Sequence, residues 1–210
     1  MRKKLKLLPL ILFIIIIVSP VVSADQIKLQ NGNNLRGEVQ NDSLLLKTNY
    51  AQLNIQSRYL NKINRENGNF IFSAAENNEF SGQLLSEIVF IVNGSQRNFA
   101  ASEIDNINFS ENDSFNDNKK LSLTLANDDF FFASTVEENI SVNTSLGSSL
   151  ILSYDNISSI EYLSGEDIYL IKRNNGSNIK TDLSGQKIII WPAAAEIIEL
   201  DFDYIRKITF

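Results

Sequence analysis

One pattern of apolar positions recurs four times along this chain. In each copy an apolar residue is followed by a second one five positions later and by a third one three positions after that. The copies start at Ile55, Phe99, Leu152 and Leu200, so they lie 44, 53 and 48 residues apart. A fixed pattern within a unit and a variable distance between units predict an internal-repeat protein. The recurring positions are Ile55/Leu60/Ile63, Phe99/Ile104/Ile107, Leu152/Ile157/Ile160 and Leu200/Ile205/Ile208.

The first repeat shows the clearest alternation of apolar and polar residues. Two alternating stretches flank Asn31-Gly32, a dipeptide that favours the tight turn of a β-hairpin. Residues 44–48 and 53–55 alternate in the same way, and residues 57–59 are expected to form one helical turn before a last strand at 60–63. The period is two throughout, so the pattern predicts five short strands and an all-β unit.

The second strand of each repeat follows an apolar-small-apolar pattern at steps of two. A small residue in the middle of a bent strand predicts close approach to another backbone. In the fourth repeat Pro192 stands at the end of the third strand, which is therefore expected to stop there or to lie at an edge. The second-strand sets are Leu35/Gly37/Val39, Phe80/Gly82/Leu84, Phe132/Ser134/Val136 and Ile179/Thr181/Leu183.

Five strands with a helical turn before the last are the strand plan of an SH3-like small barrel. A unit of about 44 residues is too small to hold a substantial core alone, so the units are expected to pack together. We therefore predict an all-β fold of four tandem degenerate SH3-like small-barrel repeats packed in two pairs. The polar stretch 110–118 is the best candidate for a linker, and it divides the chain into residues 25–109 and 119–210.

Residues 1–24 have the pattern of a secretory signal peptide. A basic start leads into an apolar run at 7–18, and small side chains at Val22 and Ala24 predict cleavage after Ala24. The alternative is a retained membrane anchor, but a membrane span needs about 20 apolar residues and this run is much shorter. We expect a periplasmic or secreted protein with no membrane span after cleavage. The chain has no Cys, so disulfides cannot stabilise it.

The charge balance argues against nucleic-acid and anionic-lipid partners. The formal net charge of the chain is −6, and it becomes −10 once the four basic residues of the leader are removed. Binding to phosphates and anionic headgroups depends on Lys and Arg side chains that neutralise them. We therefore expect no nucleic-acid partner.

The first repeat resembles a module near the start of some Gram-negative envelope proteins, including salt-induced outer-membrane barrel proteins. The matching positions cover about 40 residues, and no long series of amphipathic membrane strands follows them here. The resemblance implies an envelope setting and carries no catalytic residues. A weaker similarity links the unit to Sm-like RNA-binding barrels, against which the acidic charge and the leader both argue. The matching positions are Leu29, Asn31, Gly32, Leu35, Gly37, Leu44, Leu46, Thr48, Tyr50, Leu53, Ile55, Leu60 and Ile63.

The residue content gives no indication of an enzyme. The chain has no His and no Cys, which excludes the usual Ser-His-Asp and Cys-His sites and zinc sites with such ligands. It also has no phosphate-binding or dinucleotide-binding glycine motif. A carboxylate-pair hydrolase remains open, but the 25 acidic residues are more simply solvated surface groups. We predict no catalytic residues, no cofactor and no specific metal site, leaving weak calcium binding at 111–118 as an alternative.

Three aromatic residues are the remaining candidates for partner contact, namely Phe131, Trp191 and Tyr50. In the run 130–132 consecutive Phe side chains point to opposite faces of a strand, so Phe131 is expected either to fill the gap between repeats or to be an exposed anchor. Trp191 could serve a ligand groove or pack against the final repeat, and Tyr50 lies near a predicted turn.

The function predicted from the sequence is that of an exported, non-enzymatic binding or scaffolding protein of the bacterial cell envelope. It would contact another envelope protein through exposed strand edges, where backbone hydrogen bonds give affinity. The alternatives are a protein that binds cell-wall glycan or other carbohydrate, and a purely structural spacer. The identity of the partner and the oligomeric state do not follow from the sequence.

Overall fold

The computed structural model describes residues 24–115, 121–143 and 147–210, and this part of the chain is all-β. Residues 1–23, which carry the predicted signal peptide, lie outside the described residues. The described residues form 20 strands and five short 3-10 turns. No helix in these three ranges is long and apolar enough to cross a membrane.

The strands of the first half, residues 25–108, are numbered β1 to β10. They are β1 Asp25–Leu29, β2 Asn34–Val39, β3 Ser43–Lys47, β4 Gln52–Gln56, β5 Leu60–Glu66, β6 Asn69–Ala74, β7 Asn78–Leu84, β8 Ile88–Val92, β9 Ser95–Phe99 and β10 Ile104–Asn108. The second half, residues 121–209, continues the numbering. Its strands are β11 Leu121–Leu125, β12 Phe130–Thr135, β13 Asn139–Asn143, β14 Ser149–Ser153, β15 Ile157–Leu163, β16 Ile168–Arg173, β17 Asn178–Thr181, β18 Lys187–Pro192, β19 Ile198–Asp201 and β20 Ile205–Thr209. The 3-10 turns are Ser57–Tyr59, Ala75–Asn77, Ala101–Glu103, Tyr154–Asn156 and Phe202–Tyr204.

The recurring apolar positions form the core, as the pattern predicts. All twelve are buried, and none has more than 7% of its surface exposed. The predicted helical turn of the first repeat is present at Ser57–Tyr59, directly before β5. In the fourth repeat β18 ends at Pro192, where the missing backbone donor was expected to stop the strand.

The strands of one repeat do not close on one another, and this corrects the expectation that each repeat forms its own curled sheet. In the first half β2 pairs with β8 of the second repeat, and β3 pairs with β7. The first strand, β1, lies between β2 and β10, and β10 in turn pairs with β5. The strand order across the first half is therefore β9-β8-β2-β1-β10-β5-β6-β7-β3-β4.

This order divides the first half into two five-stranded modules, one nested in the other. The inner module is the continuous segment from β3 to β7, and the outer module consists of β1, β2, β8, β9 and β10. The two-residue turn Asn67-Gly68, with φ of 49° and 87°, joins β5 directly to β6. Such a local hairpin needs little loop-closure entropy, so β5 takes β6 as its neighbour instead of the distant β1.

The second half repeats this nested arrangement. Its strand order is β19-β18-β12-β11-β20-β15-β16-β17, and β13 and β14 form a separate two-stranded sheet. In the second half β13 and β17 correspond to β3 and β7. A side-chain hydrogen bond joins them in place of the strand pairing seen in the first half. Thr181 Oγ1 donates a hydrogen bond of 2.7 Å to the carbonyl oxygen of Asn143. The β13-β14 hairpin is therefore attached more loosely than its counterpart.

The small residue in the middle of the second strand lies where two repeats cross. A Cβ atom on Gly37 would lie 1.8 Å from the carbonyl oxygen of Ile91, and one on Gly82 would lie 2.3 Å from that of Lys47. The predicted close approach of backbones is thus confirmed at both positions. Each contact joins one repeat to the other, so glycine is needed by the nested pairing itself.

The run of three Phe residues in β12 has a different register from the predicted one. The sequence pattern aligns the set Phe132/Ser134/Val136 with the second strands of the other repeats. In the structure Phe131 and Ala133 are fully buried instead, and Val136 is exposed. Phe131 lies opposite Leu123, just as Leu35 lies opposite Ile27 in the first repeat. Adjacent aromatic residues satisfy a period of two in either register, and a shift of one residue exchanges the two faces of a strand.

Candidate functional site

The two halves of the chain meet along β7 and β12. Glu79 of β7 pairs with Phe130 of β12, and the rings of Phe80 and Phe131 stack with centroids 5.1 Å apart. A second contact joins β4 to the turn after β18, where Gln56 N donates a 2.9 Å hydrogen bond to the carbonyl oxygen of Ala194. The halves therefore share both apolar packing and backbone hydrogen bonds.

A buried carboxylate lies at the centre of this joint. Asp129 is 2% exposed and accepts hydrogen bonds from Tyr50 Oη at 2.8 Å, Ser81 N at 3.0 Å and Ser81 Oγ at 2.6 Å. Beside it, Asn78 Oδ1 accepts a 2.7 Å hydrogen bond from Phe132 N. Burial raises the pKa of the Tyr50 hydroxyl well above its usual value, and the neighbouring Asp129 carboxylate raises it further. A buried charge needs such donors, so the network holds the halves in one relative position.

The structure separates the three predicted contact residues. Tyr50 and Phe131 are buried in the joint, where they contact Asp129 and Phe80 within the molecule. Neither can serve as an exposed anchor for a partner in this conformation. Trp191 has 48% of its surface exposed, so it is the one of the three that lies at the surface.

Trp191 lies in β18, between β12 and β19, and each of these two neighbouring strands has an exposed apolar residue directly beyond one end. In the β12–β18 register Trp191 faces Ser134, and Val136 N donates a 3.0 Å hydrogen bond to the carbonyl oxygen of Ile189. Ile197 directly precedes Ile198, which the β18–β19 register places opposite Ile190, the residue before Trp191. Val136 and Ile197 are 50% and 56% exposed. We call the surface formed by Val136, Ile189, Trp191 and Ile197 the Trp191 face.

The geometry of the Trp191 face is fixed by local contacts. Trp191 Nε1 donates a 3.1 Å hydrogen bond to the carbonyl oxygen of Ala195, so the indole is tied to the turn that also bridges to β4. The strand next to the face, β19, pairs only with β18 among the described strands. The surface therefore combines exposed apolar side chains with a strand edge that can accept a further strand.

An acidic groove of about 1040 Å³ is lined by residues of the first half and by Glu196 of the second half. Asp25 is fully engaged there, because its Oδ1 accepts from Ser110 N and Oγ and its Oδ2 accepts from Val39 N. Ser57 Oγ is buried in the wall and has no hydrogen-bond partner among the described residues. The charged residues that line the groove are Asp25, Glu38, Asp42, Arg58, Glu111 and Glu196. Its negative charge favours cations and disfavours anions.

The described residues of the groove form no cluster suited to a metal ion. No three acidic side chains in residues 24–115, 121–143 and 147–210 come together in a way that could hold a metal ion. The possible calcium segment 111–118 is only partly described. Its Phe115 packs on Tyr59 with ring centroids 4.5 Å apart, and Asp113 N donates a 2.7 Å hydrogen bond to the carbonyl oxygen of Arg58.

Sequence reasoning missed the residues that complete these surfaces. The sequence pattern aligns Val136 with Val39 of the first repeat, one residue out of register with the pairing that the structure shows for β12. Ile197 follows the polar Glu196 in an irregular segment with no alternation to show its direction. Nothing in the local sequence marks Asp129 as a buried residue, and only the three-dimensional structure brings it to Tyr50 and Ser81.

Comparisons with known proteins add no further identification. No family model, no curated protein and no solved structure matches the chain.

Proposed function

We propose that this protein is an exported, non-enzymatic binding or scaffolding protein of the bacterial cell envelope. It contacts another envelope protein through the Trp191 face and the adjoining edge of β19. The leader pattern of residues 1–24 and the resemblance of the first repeat to an envelope module support the location. The finer fold we propose is four degenerate SH3-like small-barrel repeats, packed as two nested pairs.

The observation that carries this proposal is the Trp191 face itself. Trp191 lies in β18, Val136 directly follows β12 and Ile197 directly precedes β19, and each of the three is about half exposed. Contiguous exposed apolar residues are costly in a monomer and commonly mark an interaction surface. A partner segment that adds to β19 would gain backbone hydrogen bonds from the edge and apolar contact from the face.

The strand order favours the small-barrel interpretation. In the outer module of the first half the order is β9-β8-β2-β1-β10, and in the inner module it is β4-β3-β7-β6-β5. Each strand can be numbered from 1 to 5 by its position within its own sequence repeat. With this numbering both modules have the strand order 4-3-2-1-5. The 3-10 turn stands between the fourth and fifth strands in each module, at Ala101–Glu103 and at Ser57–Tyr59.

The test is affinity capture from envelope extract with protein purified from cells that express the full chain. We expect a reproducible protein partner that is lost when Ile197→Glu or Val136→Glu places a charge in the Trp191 face. Leu85→Glu is the matched control, because Leu85 is 49% exposed and lies outside this face. Retention on purified cell-wall polymer instead would favour the glycan alternative. Equal capture by the Ile197→Glu and Leu85→Glu variants would overturn the assignment of the face.

A further inference from the structure

The fourth strand of each repeat lies at an edge of its module, and three of these four edges are protected. The edge of β4 is covered by the turn after β18, through the Ile55–Ala195 bridge. The strand β9 carries Arg97, and its four exposed residues are all polar or charged, whereas β19 carries Glu199 and Asp201. Covering segments and like charges hinder the pairing of such an edge with a second copy of itself, whereas a partner of complementary charge can still add to the acidic edge of β19.

The fourth edge, β14, has neither form of protection in the part of the chain that the structure describes. It pairs with β13 on one side, in a regular register of five residue pairs without a bulge. Its sequence Ser149–Ser153 contains no charge and no proline. Ile151 is 78% exposed and Leu150 is 40% exposed, and Ile151 is the most exposed of the large apolar side chains described.

The sequence of β14 is the same in both directions, Ser-Leu-Ile-Leu-Ser. If two copies of β14 pair in the antiparallel direction about a twofold axis at Ile151, then Ile151 faces its own copy. Leu150 then faces Leu152, and Ser149 faces Ser153. Every cross-strand pair joins like with like, whereas a shift of one residue would place Ser149 against Leu152. A twofold interface requires such self-complementarity.

The backbone of β14 has the right orientation for this pairing. Tyr154 N donates a 2.9 Å hydrogen bond to the carbonyl oxygen of Glu138, which extends the β13–β14 register by one pair. Hydrogen-bonded pairs alternate along an antiparallel ladder, so the even-numbered residues of β14 direct their backbone groups toward β13. Ile151 and its odd-numbered neighbours direct theirs toward the open edge. A twofold axis at Ile151 therefore brings about six backbone hydrogen bonds into register.

From these observations we infer that the protein forms a twofold dimer through β14, with a continuous four-stranded sheet of two β13–β14 hairpins. The occupant of the edge is a second copy of this chain. The sequence symmetry favours a second copy over an unrelated segment, because an unrelated partner would need no symmetry in β14. Each copy carries a formal net charge of −6 or, without the leader, −10, so association should strengthen as salt screens the repulsion.

The dimer uses a different surface from the Trp191 face, so the two proposals can be tested separately. We expect sedimentation of the purified protein to give twice the monomer mass. Ile151→Lys sets two like charges opposite each other and should yield a monomer, and Leu85→Lys should remain a dimer. Both variants should keep the far-UV circular dichroism spectrum of the parent, and the urea midpoint of the Ile151→Lys variant should lose the dependence on protein concentration that a dimer shows.

A second experiment detects the contact directly. The chain has no Cys, so Ile151→Cys introduces the only thiol, at a position where opposing Cα atoms lie about 5.5 Å apart in a hydrogen-bonded antiparallel pair. That distance permits a disulfide, and mild oxidation should convert the variant to a covalent dimer. Leu85→Cys, tested at the same concentration, should stay largely monomeric on a denaturing gel. A monomeric parent protein, or equal cross-linking of the two variants, would overturn the dimer.

Discussion

Gly37 gives the sharpest mutational test of the crossing between repeats. The Cβ atom of Gly37→Ala would lie 1.8 Å from the carbonyl oxygen of Ile91 and 2.9 Å from Cε1 of Phe90. Both obstructing residues belong to β8 of the other repeat, and the carbonyl is backbone that cannot rotate away. The strands β2 and β8 must therefore separate for alanine to fit.

The size of the effect follows from the distance. Ordinary contact begins at about 3.4 Å, so β2 and β8 must part by about 1.6 Å. The hydrogen bond from Gln40 N to the carbonyl oxygen of Val89, now 2.8 Å long, would then exceed 4 Å and be lost, together with the neighbouring pairs. Losing about three backbone hydrogen bonds at about 1 kcal/mol each, plus packing strain, predicts a loss of roughly 3–5 kcal/mol in the free energy of unfolding.

The assay is urea unfolding followed by far-UV circular dichroism. The matched control is Gly165→Ala, because Gly165 has an ordinary backbone conformation and no atom within 4 Å of the added Cβ. Alanine there should change the free energy of unfolding by less than about 0.5 kcal/mol, or raise it slightly, because alanine lowers the conformational entropy of the unfolded chain. Gly82→Ala, with its 2.3 Å approach to Lys47, should resemble Gly37→Ala. Equal midpoints for the Gly37→Ala and Gly165→Ala variants would refute the crossing.

Two further predictions concern the buried tyrosines. Tyr50→Phe removes one of the hydrogen bonds to the buried Asp129 carboxylate, so it should lower the free energy of unfolding by about 1.5–3 kcal/mol in the same urea assay, and no change would show that the network is dispensable. Burial raises the pKa of Tyr50, Tyr154 and Tyr169 in the folded state, so above pH about 10 only the unfolded chain releases these protons. Stability should therefore be unaffected by these groups below pH 10 and should fall as the pH rises beyond it. Urea midpoints at pH 8 and pH 11 measure this fall, which should be smaller in the Tyr50→Phe variant; an equal fall would contradict the burial of Tyr50.

The hydrophobic pattern predicted which residues face inward but not which strands are neighbours. The period of two identifies the buried face of Leu60 and Ile63 whatever strand lies beside them. Which strands are neighbours depends on the turns between them. The Asn67-Gly68 dipeptide between β5 and β6 is typical of a β-hairpin, but the repeat pattern places these two strands in different repeats. The Phe run in β12 had no unique register, because either alternate set is apolar.

The candidate surfaces were less predictable than the core. Trp191 could be singled out by residue type, but the position of its indole depends on the hydrogen bond to the carbonyl oxygen of Ala195 in the following turn. Tyr50 was expected near a turn, and its burial depends on Asp129, which is distant in sequence. Side-chain direction in irregular segments is set by tertiary contacts that no local period records.

The nesting of repeats can be tested most directly by paired cysteines in this cysteine-free chain. Glu38 lies opposite Ile91 of the second repeat, whereas a repeat that closed on itself would place Glu38 opposite Lys47, the counterpart of Ile91. Opposed Cα atoms lie about 4.5–5.5 Å apart, within reach of a disulfide. Under mild oxidation the Glu38→Cys/Ile91→Cys variant should form an intramolecular disulfide, and the Glu38→Cys/Lys47→Cys variant should keep two free thiols. The reverse result would show that each repeat folds on its own and would contradict the nested architecture.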